Sequence, residues 1–239
     1  MLRPAALALI CLAGPVAAQD TQTFTLPEGC TAYVTVQMLS CTVSHLFTCT
    51  GDPAGYQRRV DLDQNGLVYA GTIDAETQWI SGFHARDGVE DSLDPGAADP
   101  ASLTTLLATN VDTYDFTTTS PQVGTIHYVG EDRLIGKVVI DGVTLDRTQY
   151  HITATGPDGA ELWRSEGNEF VNAEWRTFLA GVSKVTTPTD SYTTDDTPMQ
   201  FIFPGQPGFL SSQPKFGCGA IMSSYTAPAA PLLPQGANP

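Results

Sequence analysis

Short runs in which apolar and polar residues alternate occupy most of this chain, and turn-forming residues separate them. The runs are five to nine residues long and recur every 10 to 13 residues. Such alternation is typical of strands with one buried face. The sequence therefore predicts a mainly β protein: an antiparallel meander that forms a strongly curved sheet or a partly open barrel, with one helix packed on it.

Two dipeptides mark the clearest hairpins. Asn65-Gly66 separates residues 58–62 from residues 67–73, and Asp141-Gly142 separates residues 137–140 from residues 143–145. Both dipeptides favour two-residue hairpin turns because their residues accept a positive φ. We expect a tight turn at each of these places, and a further one at residues 156–159.

One segment has the period of a helix. Asp99 is the candidate N-cap, and Pro100 follows at the first helical position. Leu103, Leu106 and Leu107 form an apolar stripe that ends near Asn110. This stripe predicts a short helix whose leucines pack on one face of the sheet.

The N-terminus has the pattern of an export signal. Arg3 precedes an apolar run at residues 5–13, and small residues lead to a predicted cleavage after Ala18. Residue 10, before Cys11, is not the small residue that lipoprotein processing requires. We assign a signal peptide to residues 1–18, a single β-rich domain to residues 19–219, and a disordered, Pro/Ala-rich tail to residues 220–239. This organisation predicts a periplasmic location.

Charge and hydropathy exclude two kinds of partner. The formal net charge is −15, and removal of the predicted signal peptide takes away Arg3 and makes it −16. Such a chain repels nucleic acids and anionic membranes. No later apolar run approaches the length of about 20 residues that spans a bilayer, so we expect no direct insertion in the membrane.

Four cysteines remain after the predicted cleavage, and an even number in an exported chain indicates two disulfides. If Leu39-Ser40 is the turn between residues 32–38 and 42–48, Cys30 lies opposite Cys49. That pairing leaves Cys41 for Cys218. A metal site or a redox pair is the alternative, but the spacing of the cysteines fits neither.

A calcium loop is a second candidate site. Asp61, Asp63 and Asn65 match the start of such a loop, but its twelfth position is Thr72 instead of a bidentate glutamate. The alternative is a plain hairpin with solvated acids. We predict no other cofactor and no catalytic residue, because the serines lack a nucleophile context and the histidines lack metal spacing.

Aromatic side chains suggest a third kind of site. In a curved sheet they could line a cavity for a lipid or another hydrophobic molecule, and the alternative is an ordinary core. The candidate ligand-binding residues are Trp79, Phe83, Trp163, Phe170, Trp175 and Phe178.

The order of elements, a meander with one leucine-rich helix near its middle, resembles the half-open barrels of the periplasmic lipoprotein carriers of the LolA and LolB type. The resemblance covers about residues 31–203 and implies a sheet that shelters an acyl chain, but no functional residue is carried over. The string from Trp163 to Gly167, with Trp175-Arg176, also resembles uncharacterised periplasmic proteins of alphaproteobacteria.

Three functions follow as expectations. The first is a non-enzymatic periplasmic protein that binds a hydrophobic ligand or supports the cell envelope. The second is a module that holds a protein partner at the envelope. The third is a hydrolase that uses carboxylates of Glu161, Glu166, Glu169 or Glu174.

Overall fold

A computed structural model describes residues 22–219, so the predicted signal peptide and the predicted tail lie outside the described residues. The elements, in chain order, are β1 (Cys30–Met38), β2 (Thr42–Cys49), β3 (Gln57–Asp63), β4 (Gly66–Ile73), β5 (Trp79–His84), β6 (Val89–Leu93), α1 (Leu103–Thr109), β7 (Val111–Ser120), β8 (Gly124–Ile140), β9 (Val143–Thr155), β10 (Glu161–Asn172), β11 (Thr177–Thr186), β12 (Ser191–Asp195) and β13 (Pro198–Ile202).

The strands form one antiparallel sheet of 13 strands, and this confirms the predicted meander. Strands β1 to β12 are neighbours in chain order, while β13 returns to pair with β1. Only Asp196 and Thr197 separate the two edge strands, β12 and β13, in sequence. The sheet therefore curls until its edges are joined by this short link, but its described strands do not close into a barrel.

The two predicted dipeptide turns differ in detail. Asp141 and Gly142 both have positive φ, 46° and 79°, and they connect β8 to β9 as expected. In the other hairpin the turn residues are Gln64 and Asn65, and Gly66 already belongs to β4 with a φ of 118°. This turn is therefore one residue earlier than the sequence indicated, because the glycine takes the first paired position of the strand.

Two strands are much longer than the sequence patterns suggested. β8 has 17 residues and β9 has 13, and a bulge between Leu134 and Gly136 bends their pair. The bend carries the hairpin tip to β13, where Phe201 N donates to Asp141 Oδ2 at 2.8 Å.

Both predicted disulfides are present, Cys30 with Cys49 and Cys41 with Cys218. The turn between β1 and β2 contains Cys41 as a third residue, so it is one residue longer than expected. A bulge at Tyr33 compensates for the extra residue and restores the expected pairing of Cys30 with Cys49. The second disulfide ties the end of the described chain to the first hairpin.

Helix α1 begins later than predicted. Its N-cap is Ser102, whose Oγ accepts from Thr105 N at 3.1 Å, while Asp99 forms a β-bridge with Asp115 instead. Asn110, in the left-handed conformation, ends the helix. The carboxylate of Glu76 accepts from Thr104 N at 2.8 Å and from Arg176 Nη2 at 2.9 Å. The helix start is thereby tied to two loops of the sheet.

The sheet has two faces with different coverings. The inner face is the one that carries Trp79, Phe116 and Tyr128, and these three side chains belong to the largest apolar cluster of the described chain. The opposite side of the same strands is the outer face. Beside β1–β3 it is covered by residues 22–29 and 205–216, whose side chains Phe24 and Leu210 pack against the strands.

The hairpin of β10 and β11 is buried on both sides. Phe170 and Leu179 pack against Val34 and Leu46 of the first two strands, whereas Val171 and Phe178 pack against helix α1. Consecutive residues of a strand point to opposite faces. The curled sheet and the helix therefore enclose this hairpin between them.

No helix within residues 22–219 is long and apolar enough to cross a membrane.

Candidate functional site

A groove lies on the outer face of β3–β7, and its volume is about 550 Å³. Small hydroxyl side chains form its floor. They lie in one row across the strands, since Ser81 pairs with both Thr72 and Ser92, and Ser92 in turn pairs with Thr119. The volume falls within the range of about 300–1,000 Å³ that is usual for ligand sites. Four neighbouring strands thus present short polar groups to an open space.

A second row of the groove is more apolar. Val60 pairs with Ala70, Ala70 with Phe83, and Phe83 with Glu90. The ring of Phe83 is half-buried and lies between a methyl group and an exposed carboxylate. An aromatic face beside a row of hydroxyl groups suits a ligand that is apolar on one side and forms hydrogen bonds at its edge.

Two proline-containing segments and Arg58 also belong to the lining. Pro27 comes from the segment before β1, and Pro121 from the turn between β7 and β8. Arg58 donates two hydrogen bonds to Asp52, at 2.7 and 2.6 Å, and this contact holds the pKa of Asp52 below its usual range. The guanidinium is thereby held in one place at the groove.

The predicted ligand-binding aromatics do not converge on one cavity. Trp79 and Trp163 belong to the inner-face cluster, Phe170 and Trp175 contact the cluster around Val34, and Phe178 contacts helix α1. Only Phe83 borders the groove. The predicted residues are thus distributed over three apolar clusters and one open surface.

A small cavity lies inside the curled sheet, between residues of β1–β5 and β11. Its volume is about 40 Å³, which suits a few water molecules at most. Trp79, Arg59 and Phe178 are among its lining residues.

The hydroxyl residues of the groove were not among the candidates drawn from the sequence. The available signal was the run of short side chains at corresponding positions of adjacent hairpins: Thr72, Ser81 and Ser92. Recognising it requires the register between strands, because each residue alone is an ordinary strand threonine or serine.

The calcium-loop residues have other partners. Asp61 is buried and accepts from Arg59 Nε at 2.7 Å, and Asp63 accepts from Asn65 N at 2.6 Å within the turn. Among the described residues, no group of three or more His, Cys, Asp or Glu side chains is placed to hold a metal ion.

The carboxylates proposed for hydrolysis lie in different environments. Glu161 pairs with Arg164 at 2.7 Å, Glu166 lies 3.9 Å from Lys184, and Glu174 is exposed. Glu169, in contrast, is fully buried.

Glu169 belongs to a row of three buried carboxyl groups. Asp112 on β7 is the strand partner of Asp132 on β8. Across β9, Asp132 lies opposite Tyr150, and Glu169 lies opposite Thr148, two residues further along that strand. Asp112, Asp132 and Glu169 are 8%, 2% and 0% exposed. Within the described part of the chain, Asp132 Oδ1 and both carboxylate oxygens of Glu169 have no hydrogen-bond partner.

Burial raises the pKa of all three groups. It raises the pKa of Asp112 to about 6, although Ser102 N donates to its carboxylate at 2.8 Å. The pKa values of Asp132 and Glu169 are raised further, because each side chain is fully desolvated and a second carboxyl group lies nearby. Burial thus favours the protonated form of all three carboxyl groups in the folded protein.

No protein-family model, curated protein or solved structure matches this chain.

Proposed function

We propose that this chain is an exported, non-enzymatic binding protein and that its ligand occupies the groove on the outer face of β3–β7. The observation that carries the proposal is the open volume of about 550 Å³ over a floor of short hydroxyl side chains. The export signal of the sequence and the two disulfides support a function outside the cytoplasm.

The lining defines the chemistry of the ligand. Phe83, Val60 and Ala70 offer an apolar strip, and Thr72 and Ser81 lie beside it with hydroxyl groups. A ligand with an apolar face and hydrogen-bonding groups along one edge satisfies both rows at once. The sequence suggested a hydrophobic ligand inside the curved sheet; we propose instead that the ligand binds in the groove on its outer face.

Native mass spectrometry of protein recovered without detergent tests this proposal. We expect the mature chain to carry a bound mass that disappears on denaturation. Ser81→Trp fills the groove and should remove that mass, whereas Val129→Trp places the same side chain on an exposed position of β8 and should leave it.

Two results would contradict the groove as the ligand site. One is a wild-type protein that carries no bound mass when it is recovered from its own compartment. The other is a bound mass that Ser81→Trp and Val129→Trp retain equally. Circular dichroism of both variants confirms that a loss of binding does not come from a loss of fold.

A further inference from the structure

Helix α1 lies directly beside the row of buried carboxyl groups. Leu103 and Leu106 pack against Val171, and Leu134 joins this cluster. Leu134 lies two residues after Asp132, and Val171 lies two residues after Glu169. Because side chains alternate along a strand, Leu134 and Val171 point to the same face of the sheet as these acids. The helix therefore covers the part of the sheet that is continuous with the row.

The start of the helix is also bound to the row. Ser102, the N-cap, donates its backbone N–H to Asp112 Oδ2 at 2.8 Å. The same serine donates its hydroxyl group to Glu76 at 3.1 Å. Movement of the helix away from the sheet would thus break a contact with the first carboxyl group of the row.

The charges around the row offer little compensation if it ionises. The negative charges of Asp99 and Glu76 act on Asp112, and that of Glu131, on the opposite face of β8, acts on Asp132. The cation that faces Glu169 is Arg59, which already pairs with Asp61 at 2.7 Å. The phenols that face the row, those of Tyr114 and Tyr150, carry no charge at neutral pH. Several buried negative charges without matched partners strongly disfavour the packed state.

We propose that Asp112, Asp132 and Glu169 form a proton-operated latch for helix α1. With the carboxyl groups protonated, the helix stays packed on the sheet. When their O–H bonds ionise and the protons pass to the solvent, the carboxylates repel one another and the helix leaves the sheet so that water can reach them.

The sign of the pH dependence follows from the raised pKa values. Below the ordinary carboxyl pKa, the three groups are protonated in both the packed and the released state, and the packed state has its full stability relative to the released one. As pH rises, the released state loses protons first, so the packed state loses stability until its own carboxyl groups ionise. The latch is therefore closed at acid pH and weakens toward alkaline pH.

Amide hydrogen exchange of residues 103–110, corrected for the intrinsic effect of pH, tests the latch. From about pH 5 to about pH 8 we expect the protection of α1 in the wild type to fall by up to about tenfold per pH unit for each proton released. Protection of β1 and β2 should stay constant. Asp132→Asn with Glu169→Gln should keep α1 protected across the range, and single Glu169→Gln should have a smaller effect in the same direction.

Glu166→Gln is the matched control, since this exposed carboxylate lies on the same strand as Glu169 and is 3.9 Å from Lys184. It should behave like the wild type. The latch is rejected if α1 protection does not change with pH, if the neutral variants follow the wild type, or if all strands lose protection together. Recovery of protection on addition of Ca²⁺ at about pH 8 would also overturn it, because the row would then hold a cation instead of protons.

Discussion

The two faces of β3–β6 show how differently one sheet can use its sides. On the inner face the ring of Trp79 packs 5.4 Å from that of Phe116 and 5.3 Å from that of Tyr128. On the outer face the same strands carry Thr72 and Ser81, and the groove lies above them. Large side chains fill the space they face, whereas short ones leave room.

The two faces also differ in where they place the aromatic candidates of the sequence. Aromatic residues in strands suggest a ligand cavity, but in this protein most of the candidates belong to buried apolar clusters. The available volume lies where side chains are small and where Pro27 and Pro121 stand beside the sheet. The following substitutions test this contrast, beginning with the largest expected change in stability.

Trp79→Ala should have the largest effect, a loss of about 3–5 kcal/mol in the free energy of unfolding, because it leaves a cavity in a closely packed cluster. Trp79→Phe should cost much less, since it keeps an aromatic ring and removes an indole N–H that lacks a hydrogen-bond partner in the described chain. Urea denaturation measures both. Equal and small losses would mean that the inner face is loosely packed.

Replacement of Cys30 and Cys49 by serine should cost about 3 kcal/mol, because the disulfide closes a loop of 19 residues. It should also weaken ligand binding at the groove, since Pro27 lies three residues before Cys30. The comparison with Cys41 and Cys218, whose disulfide closes 177 residues, is the control. Removal of that pair should lower stability more while it affects binding less.

Asp112→Asn should raise stability at pH 7 by about 1–2 kcal/mol, after allowance for solvent screening of the carboxyl group. Its folded pKa of about 6 lies above the unfolded value. The carboxyl group therefore lowers stability as pH rises from about 4 through 6, and asparagine removes this loss. Thermal unfolding from pH 4 to 7 should show the gain only at the upper end, with Asp87→Asn as an exposed control.

Phe83→Ala should change stability least, by about 1 kcal/mol or less, because its ring is half-buried at the groove. The same change should weaken binding of the neutral probe N-phenyl-1-naphthylamine by about tenfold, as expected for a lost contact of about 1.4 kcal/mol. Val129→Ala removes an exposed apolar group outside the groove and should leave probe fluorescence unchanged. If Val129→Ala weakened probe binding and Phe83→Ala did not, the probe would bind to another surface.

Local patterns predicted the strands and hairpins well. Asp141-Gly142 forms a two-residue turn with both φ values positive, as its chemistry requires. The disulfide pairing followed from strand register, although two deviations of one residue, at Tyr33 and at Cys41, cancelled each other. Such compensation is invisible in sequence because a bulge leaves no fixed residue pattern.

The start of the helix and the groove depend on contacts between distant residues. Asp99 has good N-cap chemistry, but it pairs with Asp115, and Ser102 caps the helix because Glu76 and Asp112 lie beside it. The groove needs the register of five strands and a segment from each side. The carboxyl row likewise exists only after β7, β8 and β10 are aligned.

A titration of the ¹⁵N-labelled protein with N-phenyl-1-naphthylamine, followed by amide chemical shifts, tests the central claim most directly. The account predicts that the largest shifts occur at Thr72, Ser81 and Ser92 on the outer face. Shifts concentrated at Trp79, Tyr128 and Trp163 would contradict it, because the ligand would then enter the aromatic interior instead of the groove.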